Sequence, residues 1–200
     1  MKLYFSPGAC SLAAHIALRE AGLKIDLEKV DLVAKKTERG ADYWSINPKG
    51  YVPALQLDDG EVLTEVSAIL QYVADQKPAA HLLPPAGTIE RARAVEWIGF
   101  IATELHKGFA PLFHPTGEPR AHAIESISAR LDYVNRQLGD GPWLTGQTLT
   151  IADLYLFVIL GWARLFHLDL DRWPALRDHR ERLAQRSAVK AALADEGLRA

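Results

Sequence analysis

Apolar residues follow two different patterns along this chain of 200 residues. In the first part, short apolar runs bounded by turn residues predict strands, and apolar residues at helical spacing predict helices. Strands are expected at 3–5, 25–32, 52–57 and 61–64, and helices at 11–21, 41–45 and 66–76. The order β-α-β-α-β-β-α describes an α+β domain with a thioredoxin-like fold.

The second part of the chain has a helical pattern throughout. Helices are expected at 89–108, 121–138, 151–164 and 173–186, with a short final helix from 188. Between the two parts, residues 78–88 contain three prolines, one glycine and no apolar period, as a linker would. We therefore predict a thioredoxin-like domain at 1–77 and an all-helical domain at 89–200.

Two local features are assigned to folding. Pro53 has no N–H group to donate, so it is expected at the edge of a sheet. The segment from Thr150 to Asp153 fits a capping box ahead of an apolar run, in which both side chains satisfy backbone N–H groups of the first helical turn.

Composition and charge narrow the classes of function. Hydrophobic residues make up 48% and charged residues 24%, as in ordinary globular domains. The formal net charge of -2 provides no positive field for nucleic acid. The longest apolar run, 154–163, is about half as long as a membrane span. The chain begins without the long apolar stretch of a secretory signal, and one cysteine excludes internal disulfides. We therefore expect a cytoplasmic protein with no nucleic-acid or membrane partner.

Cys10 is the only cysteine and lies where the first helix is expected to begin. Unpaired N–H groups and the helix dipole at such a position favour an anion, and a thiolate is one. Packing as a small apolar side chain is the alternative, but the position favours thiol chemistry. Because there is no second cysteine, any partner thiol must come from another molecule.

Two places in the first domain suit a peptide-like ligand. The backbone of Val52 is able to pair with an extended ligand if its bond to Pro53 is cis, which the sequence does not decide. Lys35, in a loop, adds a positive charge for a carboxylate, although a solvated lysine is the simpler interpretation.

The start of the helix at 66–76 suits the end group of an amino acid. The Val66 N–H and the Ser67 hydroxyl are able to hold a carboxylate, and Glu65 an ammonium group. Plain N-capping by Thr64 or Glu65 is an equal alternative.

Residues of the second domain suggest acid–base chemistry and an apolar pocket. His106 is the side chain best able to exchange a proton near neutral pH, with a surface histidine as the alternative. Phe109, Phe113 and Trp162, together with Arg164, are candidates for a hydrophobic co-substrate pocket, although helical aromatics more often pack in a core. No group of side chains has metal-ligand spacing, so no metal is expected.

Five motifs together resemble one family. They are Ser6-Pro7-Gly8-Ala9-Cys10-Ser11-Leu12, Asn47-Pro48-Lys49-Gly50-Tyr51-Val52-Pro53, Thr64-Glu65, Ala102-Thr103-Glu104-Leu105-His106-Lys107-Gly108-Phe109 and Thr150-Ile151-Ala152-Asp153. With them the chain resembles the bacterial beta-class glutathione transferases over nearly its whole length. The resemblance implies the cytosolic glutathione transferase architecture, glutathione as co-substrate, and a homodimer with active sites near the subunit interface.

The resemblance also implies roles for individual residues in binding glutathione. Cys10 and His106 would lie beside the glutathione sulfur, and Val52 beside the cysteinyl backbone. Glu65 and Val66 would bind the γ-glutamyl end.

Further implied roles concern the glycyl end and the partner subunit. Lys35 would lie near the glycyl end, and Thr103 and Glu104 would reach across from the partner. Two positions depart from the family pattern. Gly99 stands where some relatives carry asparagine, so one cross-subunit contact should be missing. Val66 replaces the usual serine, so only its backbone N–H is carried over.

The expected function is conjugation of glutathione to hydrophobic electrophiles, which is a detoxifying reaction. One alternative is a thiol-disulfide transferase in which Cys10 forms a mixed disulfide with glutathione. Another is a non-catalytic binding module on the same fold. The identity of the electrophile is not given by the sequence.

Overall fold

The computed structural model describes residues 1–113 and 120–199. They form two compact units, one made of Met1–Leu82 with the C-terminal segment that begins at Ala184, the other of Leu83–Leu183. The strands are β1 (Lys2–Phe5), β2 (Asp26–Asp31), β3 (Lys36–Thr37), β4 (Ala54–Gln56) and β5 (Val62–Thr64). The helices are α1 (Ser11–Glu20), α2 (Val66–Gln76), α3 (Ile89–Phe100), α4 (Lys107–Phe113), α5 (Arg120–Leu138), α6 (Ile151–Leu165), α7 (Pro174–Ala184) and α8 (Ser187–Asp195).

The first unit is built on a five-stranded mixed sheet in the order β3-β2-β1-β4-β5. β1 runs parallel to β2, and antiparallel to β4, with Leu3 opposite Leu55. Both leucines are fully buried. β4 and β5 form the expected antiparallel hairpin, with Ala54 opposite Thr64. The thioredoxin-like prediction is confirmed.

Three details of this unit differ from the prediction. β3 is an additional two-residue strand, too short to give an apolar period. The helix expected at 41–45 is a single 3-10 turn, Tyr43–Ser45. Pro53 lies immediately before β4, which is an inner strand of the sheet. Its missing N–H therefore costs no ladder hydrogen bond, and an edge position is not needed.

α1 begins directly after Cys10 and is buried on most of its surface. Its residues from Ser11 to Leu18 are all buried, and the helix packs against both α2 and α8. Gly22, with φ 65°, ends it in the left-handed conformation that favours glycine.

The C-terminal segment packs in the first unit, although residues 89–200 were expected to form one helical domain. Glu20 accepts two hydrogen bonds from Arg186, at 2.5 and 2.8 Å. His15 lies 3.0 Å from Glu196. Long-range contacts of this kind leave no local pattern, so the division of the chain differs from the predicted one at its end.

The second unit is helical, as expected. The helix expected at 89–108 begins at Ile89 but changes after Phe100 into a π-helical segment, Ile101–His106, before α4 continues it. Such segments are rare and often found at functional sites. α6 is buried along most of its length, from Ile151 to Leu160. Within the described residues, no helix is long and apolar enough to cross a membrane.

Candidate active site

Cys10 lies where the turn after β1 passes into α1. The residue is 9% exposed and has helical backbone angles. Its thiol makes no cap hydrogen bond with α1, and Sγ instead donates to the carbonyl oxygen of Val52 at 3.3 Å. This contact needs the proton on sulfur, since a thiolate has none to donate. The sulfur therefore faces a carbonyl group, whereas the sequence had suggested first-turn amides.

Residues 47–53, called here the Val52 loop, hold that carbonyl group in place. The Val52–Pro53 peptide bond is cis. The carbonyl oxygen of Tyr51 accepts hydrogen bonds from Asn47 Nδ2 at 2.7 Å and from the Tyr43 hydroxyl at 2.8 Å. Val52 is buried in a cluster that includes Tyr43. The loop is therefore anchored by both side-chain hydrogen bonds and packing.

Tyr43 lies beneath the Val52 loop and is fully buried. Burial raises the pKa of Tyr43 to about 12, and the neighbouring Tyr4 and Cys10 act in the same direction, against the opposing hydrogen bond with Asn47. Tyr43 is therefore neutral near physiological pH, and its hydroxyl keeps the proton that it donates to Tyr51.

Lys35 contacts the same loop. Its Nζ donates to the carbonyl oxygen of Gly50 at 2.8 Å. It also lies 5.3 Å from the centre of the Trp44 ring and 6.0 Å from that of Tyr51, within the range of a cation–π contact. Both rings are exposed. The charge of Lys35 is thus fixed at the loop surface, and the alternative of a freely solvated lysine does not describe it.

Glu65 precedes α2 with φ 72°, a conformation that is rare for residues other than glycine and often marks functional sites. Its side chain makes no cap hydrogen bond, so the N-capping alternative is wrong for Glu65. Instead, Lys49 Nζ lies 2.6 Å from its carboxylate and 3.0 Å from the Thr64 hydroxyl. Val66 and Ser67 follow at the helix start, where N–H groups have no partner within the helix.

The Val52 loop therefore brings together three places that the sequence singled out. It contacts Cys10 through the carbonyl of Val52, Lys35 through the carbonyl of Gly50, and Glu65 through the ammonium group of Lys49. A thiol, a cation and a carboxylate are thus arranged around one backbone segment within the first unit.

In the second unit, His106 is the last residue of the π-helical segment. Its Nδ1 lies 2.5 Å from the hydroxyl of Tyr155 on α6. The ring also meets Trp162 edge-on, with centres 4.9 Å apart. Tyr155 is 1% exposed. A buried hydroxyl at this distance fixes the orientation of the imidazole ring. The side chain of His106 is therefore held in place by a residue of α6.

Trp162 is the centre of an aromatic cluster. Its ring lies 6.0 Å from Phe109 and 5.1 Å from Phe113. Phe109 and Trp162 are buried, which fits the core alternative, whereas Phe113 is 40% exposed. Arg164 is exposed and follows Trp162 by two residues. At ~100° per residue, its side chain leaves α6 about 200° away from Trp162. The helix geometry therefore separates Arg164 from this cluster.

Thr103 and Glu104 also lie on the π-helical segment. The Thr103 hydroxyl donates to the carbonyl oxygen of Gly99 at 3.1 Å, and Glu104 lies 3.4 Å from Arg130 Nε on α5. A Cβ added at Gly99 would meet nothing within 4 Å. Both side chains thus have partners in their own unit, and their reach across to a partner subunit stays a prediction.

Three residues around these positions were not predicted. Lys49 lies inside the motif that runs from Asn47 to Pro53, and its charge was a usable signal. Tyr43 and Tyr155 lie in apolar surroundings, so their sequence patterns give no sign of the hydrogen bonds that their hydroxyls make. The described part of the chain holds no group of three or more His, Cys, Asp or Glu able to bind a metal ion.

A thioredoxin-like unit with a thiol at the start of its first helix, joined in one chain to a helical unit, is the architecture of cytosolic glutathione transferases. The family model for the glutathione S-transferase N-terminal domain matches residues 7–76, and that for the C-terminal domain matches residues 117–182. The chain belongs to the glutathione S-transferase family.

Individual relatives agree with this assignment. The chain is 49% identical to glutathione S-transferase GstA of Escherichia coli O157:H7, over 100% of both chains. A solved sphingomonad glutathione S-transferase complexed with glutathione is 47% identical, with a TM-score of 0.95, over 99% of this chain and 100% of that one. A bacterial beta-class enzyme of Sphingomonas chungbukensis is 48% identical, with the same TM-score and coverage. The resemblance to the beta class is confirmed.

Proposed function

We propose that this protein conjugates glutathione to hydrophobic electrophiles. In the reaction with a chlorodinitrobenzene, the glutathione thiol gives its proton to solvent and the sulfur attacks the ring carbon that bears chlorine. A carbon–sulfur bond forms, the carbon–chlorine bond breaks and chloride leaves. The site lowers the barrier by stabilising the thiolate that attacks.

One observation carries this proposal: the Val52 loop contacts a thiol, a cation and a carboxylate at once. Glutathione is an extended peptide with a thiol in its middle, a carboxylate at the glycyl end, and both an ammonium and a carboxylate at the γ-glutamyl end. We assign its cysteinyl backbone to Val52 and Pro53 and its glycyl carboxylate to Lys35.

The γ-glutamyl end is assigned to the start of α2. Its ammonium group would pair with Glu65, which is 65% exposed. Its carboxylate would accept hydrogen bonds from the N–H of Val66 and from Ser67, where the helix dipole also favours an anion.

Cys10 is assigned the role of hydrogen-bond donor to the glutathione thiolate. Its S–H group already donates to the Val52 carbonyl. When the ligand backbone donates to that carbonyl in its place, the S–H is released to turn toward the ligand sulfur. A hydrogen bond to a charged acceptor is worth roughly 1.5–3 kcal/mol, more than one to a neutral carbonyl.

The second unit is assigned the electrophile. His106 would assist the thiolate, and the aromatic cluster of Phe109, Phe113 and Trp162 would bind the hydrophobic co-substrate. The functional form would be a homodimer in which Thr103 and Glu104 contribute to the partner's site. A cytoplasmic location follows, because a lone thiol that must stay reduced suits a reducing compartment.

The test compares Cys10→Ala with Cys10→Ser. We expect the alanine variant to bind glutathione about tenfold more weakly by calorimetry, and to conjugate a chlorodinitrobenzene more slowly. Serine keeps a donor and should retain much of both. An alanine variant with unchanged affinity and turnover would remove Cys10 from its assigned role.

A second measurement, on the wild type, decides whether Cys10 stabilises the glutathione thiolate or forms a bond to it. In a thiol-disulfide reaction, Cys10 attacks oxidised glutathione, one glutathione thiol leaves and a mixed disulfide remains. Mass spectrometry of the wild type after exposure to oxidised glutathione should show no adduct that turns over with substrate. A persistent adduct on Cys10 that is consumed in turnover would favour the disulfide alternative.

A further inference from the structure

The buried carboxylate of Glu196 plays no part in the chemistry proposed above. Glu196 follows α8, and its side chain has no exposed surface. Its Oε2 accepts a hydrogen bond from the Gly8 N–H at 2.9 Å, and its Oε1 lies 3.0 Å from His15 Nδ1. A buried carboxylate is costly unless donors surround it. These two donors belong to the turn before Cys10 and to α1.

The proton on His15 is placed by Arg19. Arg19 Nε donates to His15 Nε2 at 3.1 Å, and an arginine N–H group only donates. His15 therefore carries its proton on Nδ1, and this N–H group donates a hydrogen bond to Glu196. Asp195, whose Oδ2 lies 3.3 Å from the same Nε2, forms an ion pair with Arg19. The hydrogen bonds thus run in one direction from Arg19 to the Glu196 carboxylate.

Gly8 is the residue through which the Glu196 carboxylate contacts the turn before Cys10. Its φ of +70° lies in the left-handed region, and a Cβ added there would lie 3.6 Å from Leu198 Cδ1. The turn closes with a hydrogen bond from the Ala9 N–H to the Ser6 carbonyl at 3.0 Å, and Cys10 follows directly. The C-terminal segment therefore contacts the turn that directly precedes Cys10.

We propose that Glu196 is a positioning residue for the thiol site. Its hydrogen bond to Gly8 fixes the turn at residues 6–9 and, through it, the contact between Cys10 Sγ and the Val52 carbonyl. The consequence for ligand binding rests on the proposed glutathione function. The effect on Cys10 itself does not, because it is measurable with no glutathione present.

The test uses Glu196→Gln with Glu20→Gln as its matched control. Glu20 also ties α1 to the C-terminal segment, through its two hydrogen bonds with Arg186, but it is the last residue of α1 and lies at the end away from Cys10. Both variants remove one carboxylate from the same pair of elements. Only the first removes it from the Gly8 turn.

The primary readout is the rate at which iodoacetamide alkylates the protein. Mass spectrometry monitors this reaction at a temperature below the melting temperatures of the wild type and of both variants. Cys10 is the only cysteine, so the rate reports on this side chain alone. We expect about tenfold faster alkylation in Glu196→Gln, because an amide offers one uncharged oxygen to the two donors, which weakens the hold on the turn and so the contact between Sγ and Val52. Glu20→Gln should match the wild type. The dissociation constant for glutathione should rise in Glu196→Gln alone.

Equal alkylation rates in the two variants would overturn the proposal, because a merely structural carboxylate changes the melting temperature and leaves Cys10 unmoved. A wild type that binds no glutathione, with alkylation as expected, would refute the proposed function only. If Glu196→Gln does not fold, amide exchange of Gly8 in the wild type decides. Slow exchange is expected, and exchange as fast as that of an exposed loop would overturn the proposal.

Discussion

Replacing Asp153 by asparagine should destabilise the protein strongly although the two side chains have the same shape. Asp153 is fully buried at the start of α6. Its Oδ1 accepts from the Leu144 N–H at 2.8 Å and from His179 Nε2 at 3.0 Å. Its Oδ2 accepts from the Thr150 N–H at 2.8 Å and from the Thr150 hydroxyl at 3.1 Å. One carboxylate thus serves four donors.

The magnitude follows from what an amide group lacks. In Asp153→Asn, one oxygen becomes an NH₂ group, which accepts nothing, so at least one buried N–H loses its acceptor at a cost of about 1–3 kcal/mol. The remaining hydrogen bonds lose their charge, which about halves their strength. A total of about 2–4 kcal/mol lowers the melting temperature by roughly 5 to 15 °C in a protein of this size.

The assay is thermal unfolding followed by circular dichroism at one protein concentration. Asp169→Asn is the matched control, because Asp169 caps a 3-10 turn by accepting from the Asp171 N–H at 3.0 Å but is exposed. Asparagine caps a helical turn about as well as aspartate, so this variant should lose less than about 1 kcal/mol. If the two variants melt within about 2 °C of each other, less than ~1 kcal/mol separates them and the reasoning from buried donors is refuted.

Two measurements at varied pH test the pKa values of buried groups in the first unit. Burial raises the pKa of Glu28, but hydrogen bonds from Lys2 and Thr37 and the charge of Arg39 outweigh it, so the pKa is lowered below its usual 4.5. The ionised Glu28 side chain stabilises the folded protein above pH 4.5, and this stabilisation is lost as the pH falls through the lower pKa of the folded state. On acidification, the melting temperature of Glu28→Gln should therefore fall less than that of the wild type. Burial raises the pKa of Tyr43 from 10.0 to about 12, so stability falls as pH rises between these values; a phenol that ionises near pH 12 should be absent from the ultraviolet titration of Tyr43→Phe.

The sequence predicts most of the elements because their patterns are local. The helix expected at 66–76 is found at Val66–Gln76, and that expected at 121–138 is found at Arg120–Leu138. The π-helical segment at Ile101–His106 was not predicted, since its apolar spacing differs too little from that of the helix on either side. The apolar period shows that a helix exists but does not resolve one extra residue per turn.

Part of the candidate site could be predicted from the sequence. Contacts between residues close in sequence were predictable, and contacts between residues far apart in sequence were not. Asp153 is assigned correctly to a capping box because Thr150, its partner, is three residues away. The two residues form a motif whose physics is contained in four consecutive positions. Arg164 and Trp162 are the opposite case: they are predicted to line one pocket, but residues two positions apart leave a helix in different directions.

Glu196 shows why the remaining part of the site was out of reach. Its hydrogen bond to Gly8 joins residues 188 positions apart, so no local pattern connects them. Its sequence surroundings, the end of a short helix near the terminus, are typical of an exposed glutamate. The role of Glu196 comes from the packing of the first unit. Because α8 packs on α1, the Glu196 carboxylate lies at the turn before the only cysteine. Cys10 is recognisable from its own position in the sequence, but the direction in which its thiol points is set from both sides, by the Val52 carbonyl and by the end of the chain.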